Sequence, residues 1–150
     1  MTTTFTQIIN GEIPCYKVYE NDKTFAFLDI HPETPGHVLV IPKIEVDKVY
    51  ELPDDYYYAL MDTARKLSKH MESKLGARIL WKVVGTDVPH AHIHLEPHDP
   101  TWYYGRIIDT PPEKFRDMRR LLEYKDPTPP ADKTDPFAPP TSNVIEEEDI

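Results

Sequence analysis

The clearest periodicity in the chain lies between Asp54 and Leu75. Tyr57, Leu60, Met61, Ala64, Leu67, Met71 and Leu75 recur at helical spacing and form one apolar stripe. Gly76 follows where a helix stops. The three tyrosines at 56–58 cannot all face inward, and His70, off the stripe, reads as a surface histidine. A short helix is expected over Phe5 to Ile13, with Phe5, Ile8 and Ile9 on one side, Thr4 as cap and Gly11 as stop. Strands are expected at Lys17–Glu20 and at Thr24–Asp29, parted by the Asn21-Asp22 turn, and at Arg78–Val84. His37–Ile41 is nearly all apolar and ends at Pro42, which predicts burial on both faces and a central place in the sheet. Thr110-Pro111-Pro112-Glu113 reads as a threonine-capped start of a last helix ending near Tyr124.

Strict alternation marks Pro89 to Leu95, where His90, His92 and His94 interleave with Ala91, Ile93 and Leu95. Alternation is the period of a strand, so the histidines share one face and the apolar residues pack behind them. This segment and Arg78–Val84 predict an antiparallel hairpin with a short link, closed by Pro97 and Pro100. Imidazole titrates near neutrality, so such a row suits acid, base or nucleophilic work. Four readings stay open on the residues alone: hydrogen-bonded structural histidines, a metal site, a pH sensor, or nucleophilic catalysis. The metal reading is weakened by reach, because His90 and His94 would stand roughly 13 Å apart on a strand. Its only obvious extra local ligands are Glu96 and His98. For catalysis, an imidazole held at one nitrogen by a backbone carbonyl offers the other as a nucleophile, with flanking histidines to bind phosphoryl oxygens or protonate a leaving group.

Charge narrows the partners. The chain carries −9, of which −6 falls in residues 126–150 with seven acidic residues and one lysine, so residues 1–125 carry −3. No basic stripe suits a nucleic acid duplex, whereas small phosphorylated ligands remain compatible. The single Cys15 excludes an internal disulfide and reads as a small, partly buried residue in a reducing compartment. No apolar stretch approaches bilayer length and Met1–Thr6 lacks a secretory pattern, so a cytoplasmic protein is expected. Residues 1–125 read as one domain. Residues 126–150, rich in proline and acid, form a tail expected to be disordered or laid on the body, with Phe137, Val144 and Ile145 as its candidate anchors and an unknown partner.

Several separated segments then fall into one pattern. Ile8-Ile9-Asn10-Gly11-Glu12-Ile13-Pro14, Val18-Tyr19-Glu20-Asn21-Asp22, Ala26-Phe27-Leu28-Asp29-Ile30, Pro35-Gly36-His37 through Pro42-Lys43, and the alternating histidines closely resemble the histidine triad (HIT) nucleotide-binding family in its HINT-like branch. The match covers residues 3–96 in order and spacing. It implies an α+β fold with an antiparallel sheet of about five strands, one long helix, a short C-terminal helix and a two-fold homodimer. It also implies cleavage of purine nucleoside phosphoramidates or related phosphoanhydrides through a nucleotidyl-histidine intermediate. By that resemblance His92 is the nucleophile and His94 contacts the phosphate or leaving group. His90 orients His92, and His37 supports the cluster. Asp29 holds the ribose hydroxyls, Ile8, Phe27 and Ile30 line the base and ribose pocket, and no cofactor is required. A binding module with weak or no catalysis is the alternative, and a metal-binding protein using His92 and His94 a weaker one.

The chain departs from the family pattern in three places. Where many relatives carry a zinc-binding set, this chain has Thr3, Thr6 and Glu45 beside His90, which predicts no structural zinc. The turn Gly85-Thr86-Asp87-Val88-Pro89 lacks the usual upstream asparagine; Thr86 can donate to a phosphate, while Asp87 would repel one. Trp102, Tyr103 and Tyr104 match no family motif and are candidates for leaving-group specificity or for packing.

Overall fold

The strand Val38–Pro42 is buried throughout because helices cover the sheet on both sides of it. The computed structural model describes residues 2–101, 103 and 105–127. Its five strands are β1 (Lys17–Glu20), β2 (Thr24–Leu28), β3 (Val38–Pro42), β4 (Ile79–Lys82) and β5 (Ile93–Pro97). They form one antiparallel sheet in the order β1-β2-β3-β5-β4, with β3 at the centre. The α+β class and the five-stranded sheet expected from the sequence are both present.

The two faces of the sheet follow from strand parity. Ala26, Leu28, Val38, Val40, Ile93 and Leu95 meet the long helix α2 (Asp54–Leu75) through Leu60, Ala64, Leu67 and Met71. Phe25, Phe27, Leu39 and Ile41 point the other way and meet Phe5 and Ile8 of α1 (Thr4–Ile9). Helix α2 keeps its expected bounds, stopped by Gly76 in the left-handed conformation at φ 66°. Tyr58 is its exposed tyrosine. No helix among the described residues is long and apolar enough to cross a membrane.

Four local expectations are corrected. Helix α1 ends at Ile9, and its cap is Thr3, whose side chain accepts from the Thr6 N–H, not Thr4. The hairpin link is long, because β5 begins only at Ile93. Before it, the Ala91 N–H turns to the Val46 carbonyl (2.7 Å) and the His90 N–H closes a local turn on the Val88 carbonyl (2.8 Å). His90 and His92 therefore precede the ladder, and only His94 lies in it. Helix α3 (Pro112–Leu122) has Pro111 at its N-cap, while the Thr110 hydroxyl donates to the Ile108 carbonyl and caps nothing. His70 is half-buried against Tyr124, with ring centroids 5.0 Å apart. Asp126, the first residue of the expected tail, meets the Tyr19 hydroxyl (2.6 Å) and the Lys66 ammonium (2.8 Å). Phe137, Val144, Ile145, Trp102 and Tyr104 lie outside the described residues. Tyr103 is exposed, with the Arg106 guanidinium 6.0 Å above its ring.

Candidate active site

The strand parity that sends Ile93 and Leu95 towards α2 sends His94 to the α1 side, opposite Leu39. His92 and His90 follow on that side, and Phe5 of α1 packs edge-on against both rings at 5.1 and 5.8 Å. The three histidines are buried. Burial makes their hydrogen-bond partners decisive, since a neutral imidazole has one donor and one acceptor nitrogen. His92 Nδ1 lies 2.7 Å from the His90 carbonyl, which can only accept. Nδ1 therefore carries the proton and Nε2 presents a lone pair. That nitrogen is buried with no hydrogen-bond partner, the Asp87 carboxylate standing 3.5 Å off.

The same reasoning fixes the other three rings. His90 Nε2 meets the Pro42 carbonyl at 2.9 Å, so it donates, and its Nδ1 accepts from the Thr3 hydroxyl at 2.9 Å. The Glu33 N–H donates to His37 Nδ1 (3.1 Å), which leaves the proton on His37 Nε2. That proton is given to His94 Nδ1 at 2.9 Å, and His94 keeps its own proton on Nε2. Burial drives the His37 pKa down to about 3 and that of His94 to about 4, with neighbouring imidazoles and Lys82 acting in the same direction. Burial also lowers His90. These three rings are neutral at pH 7. His90 orients His92 by its backbone carbonyl rather than by its ring.

Three groups outside the expected set complete the surroundings. Glu96, buried in β5, stands 3.5 Å from His37 Nε2 and pairs with the Lys82 ammonium at 2.7 Å. Lys82 in turn reaches Glu33 at 2.7 Å. Glu96 continues the parity of the histidines, and the sequence had singled it out only as an extra ligand under the metal reading. Lys82 and Glu33 sit 49 residues apart and had none.

Two clefts meet at Asp87 and His94. One of about 270 Å³ is walled by Ile8, Phe27, Ile30, Cys15, Asp29 and His31. It collects Ile8, Phe27, Ile30 and Asp29 as the sequence expected, with Ile30 on its exposed rim. Asp29 receives the His31 N–H on Oδ1 (2.8 Å), and its Oδ2 stands 3.5 Å from His37 Nε2. Burial raises the Asp29 pKa. The other cleft, about 160 Å³, is lined by Glu33, Lys82, Val84, Thr86, Asp87 and His94. Thr86 reaches it, and also borders a third cleft beside His92. His98 is exposed and lines none of them.

Neither candidate metal set fits an ion. Asp29, His37 and His94 each bring a ligand atom within 4.8 Å of the others. His37 Nε2, however, carries the proton it gives to His94, so it has no lone pair for a metal. Thr3, Thr6 and Glu45 do converge on His90, but as a hydrogen-bonded staple. The Thr6 hydroxyl and Thr3 N–H donate to Glu45, and the Thr3 hydroxyl donates to His90. Two neutral hydroxyls are poor zinc donors. Thr3→Val removes the donor to His90 Nδ1 at nearly constant shape. It is expected to cost roughly 1–2 kcal/mol in urea denaturation and about tenfold in kcat/KM through a misplaced His92. Lost stability at unchanged kcat/KM would refute that positioning.

The HIT domain profile matches residues 10–101. The chain belongs to the HIT domain family. Among HIT relatives, an adenosine 5'-monophosphoramidase of Schizosaccharomyces pombe is 34% identical over 132 residues, covering 83% of this chain and 98% of its own. One from Candida albicans is 37% identical over 103 residues, covering 62% of this chain and 68% of its own. The crystal structure of a HIT-like protein involved in cell-cycle regulation from Bartonella henselae superposes with a TM-score of 0.73 at 27% identity, covering 81% of this chain and 94% of that one.

Proposed function

We propose that this HIT domain cleaves purine nucleoside phosphoramidates or related phosphoanhydrides through a nucleotidyl-His92 intermediate. Family membership and the phosphoramidase relatives support a nucleotide hydrolase in general. One observation carries the finer reading: His92 holds its proton at Nδ1 on the His90 carbonyl and offers a bare Nε2. The apolar cleft with Asp29 suits a nucleoside, since a carboxylate accepts from two vicinal hydroxyls. The phosphoryl group then lies beside His94 and Thr86.

In the first step the Nε2 lone pair forms the N–P bond, and the bond from phosphorus to the leaving group breaks. The leaving atom departs with that electron pair and takes one proton, relayed from solvent across His94 Nε2–H. Water then attacks phosphorus, its hydroxyl stays there, its proton returns to solvent, and His92 leaves with the N–P pair. A homodimer and a cytoplasmic setting belong to the same proposal. The outer strand β4 exposes Trp81 along its edge.

One observation favours the second reading, a nucleotide-binding module with little catalysis: the Asp87 carboxylate stands 3.5 Å from the attacking nitrogen. Incubating the full chain with a fluorogenic adenosine phosphoramidate, then quenching for intact mass and peptide mapping, separates the two. Turnover with an adenylyl group on the His92 peptide is expected. Nucleotide binding with neither turnover nor adduct would favour the module.

A further inference from the structure

Among the described residues Asp87 is the one acid that borders both clefts, and its carboxylate stands 3.5 Å from His92 Nε2 while its side chain is 63% exposed. An attacking nitrogen approaches phosphorus at about 3 Å and the leaving group departs on the opposite side. Of the two clefts that share Asp87 and His94, the one the nucleoside does not fill carries the charged side chains of Glu33 and Lys82. Its described charged lining is Glu33, Asp87 and Lys82. The Lys82 ammonium is already engaged at 2.7 Å by both Glu33 and the buried Glu96. Among the described residues, the charges lining that cleft are therefore net negative, Asp87 and Glu33 against a Lys82 already paired.

We propose that Asp87 sorts substrates by the charge of the departing group, favouring an amine that bears an ammonium and rejecting a polyphosphate. The proposal rests on the nucleotidyl-transfer reading above and deepens it. A polyphosphate would bring several negative charges against Asp87 and Glu33, and Lys82 is already paired with two carboxylates. An ammonium on the departing amine meets Asp87 with the opposite sign. The bond chemistry is unchanged: the P–N pair stays with the amine nitrogen, which takes a proton relayed from solvent.

The test uses the full chain and two substrates with the same adenosine 5'-phosphoryl group. One carries an alkylamine with a distal ammonium, the other is a dinucleoside polyphosphate. At low salt, Asp87→Asn is expected to lower kcat/KM about tenfold for the first and raise it about tenfold for the second, since one lost charge contact near a partly screened site is worth about that factor. The selectivity ratio then moves about a hundredfold, while Asp87→Glu keeps it within about threefold. Added salt should narrow the wild-type ratio. An unchanged ratio in Asp87→Asn, or an equal loss on both substrates, would overturn the proposal. If the unmodified chain turns over neither substrate, the nucleotidyl-transfer reading itself fails and the sorting role falls with it.

Discussion

His92→Ala is expected to lower phosphoramidate turnover by about 10⁴-fold or more, the largest effect of any single substitution in the site. Among the described residues, neither neighbouring histidine can replace it. His94 Nδ1 is occupied by the His37 proton and its Nε2 carries a proton of its own, so it has no lone pair to give. His90 has its lone pair on Nδ1, filled by the Thr3 hydroxyl. His94→Ala should cost less, about a hundredfold, because it removes a donor to the phosphoryl group and a proton relay but leaves the nucleophile. His92→Gly offers a stricter test than alanine. It opens a space beside the Phe5 ring, and added imidazole should restore part of the turnover by attacking phosphorus itself. Circular dichroism would check that both variants keep the fold. Turnover that survives both substitutions would remove His92 from the chemistry.

The sequence carried much of this arrangement and lacked a definable part. The unbroken apolar run of β3 placed it at the sheet centre, because only a strand covered on both faces dispenses with polar alternation. The stripe of α2 and Gly76 set that helix's bounds. The parity of His90, His92 and His94 against Ala91, Ile93 and Leu95 held, even though two of the histidines precede the ladder. What parity cannot encode is where backbone carbonyls fall, and those decide the tautomers. The His90 carbonyl holds the His92 proton on Nδ1 and leaves its Nε2 bare, and the Pro42 carbonyl makes the His90 ring a donor. Nor does local pattern reveal pairs made across the fold, so Glu33 and Lys82 were legible only as separate charged residues and Glu96 only as a possible ligand. Thr110 misled for a local reason: its hydroxyl found the Ile108 carbonyl, and the proline pair began the helix without it. Thr3 and Thr6 matched metal-ligand positions by spacing, and their chemistry made a hydrogen-bonded staple of them.

The burial that keeps the site neutral also makes the fold sensitive to acid in a window set by histidine rather than by carboxylates. His37 is held down to about 3 and His94 to about 4, whereas both titrate near 6.5 in an unfolded chain. Below pH 6.5 the unfolded state binds protons at these rings that the folded state refuses, so stability is fully present above pH 6.5 and is lost as pH falls. The lowered His90 acts in the same direction. By pH 5 the loss should be on the order of 3 kcal/mol, read as a fall in the urea midpoint between pH 7.5 and pH 5. The carboxylates enter lower. Glu20, held down by Lys43, and Asp126, held down by Lys66, lose their contribution only as they protonate below the ordinary carboxylate range. Asp29, raised by burial, works the other way and offsets part of that later loss. His37→Gln isolates the histidine share. It should lower stability at pH 7.5, through the lost Glu33 and His94 hydrogen bonds, and flatten the dependence between pH 6.5 and pH 5 by roughly one proton's worth. A wild-type midpoint that stays level from pH 7.5 to pH 5, or a slope that His37→Gln leaves untouched, would show that these rings are not buried neutral.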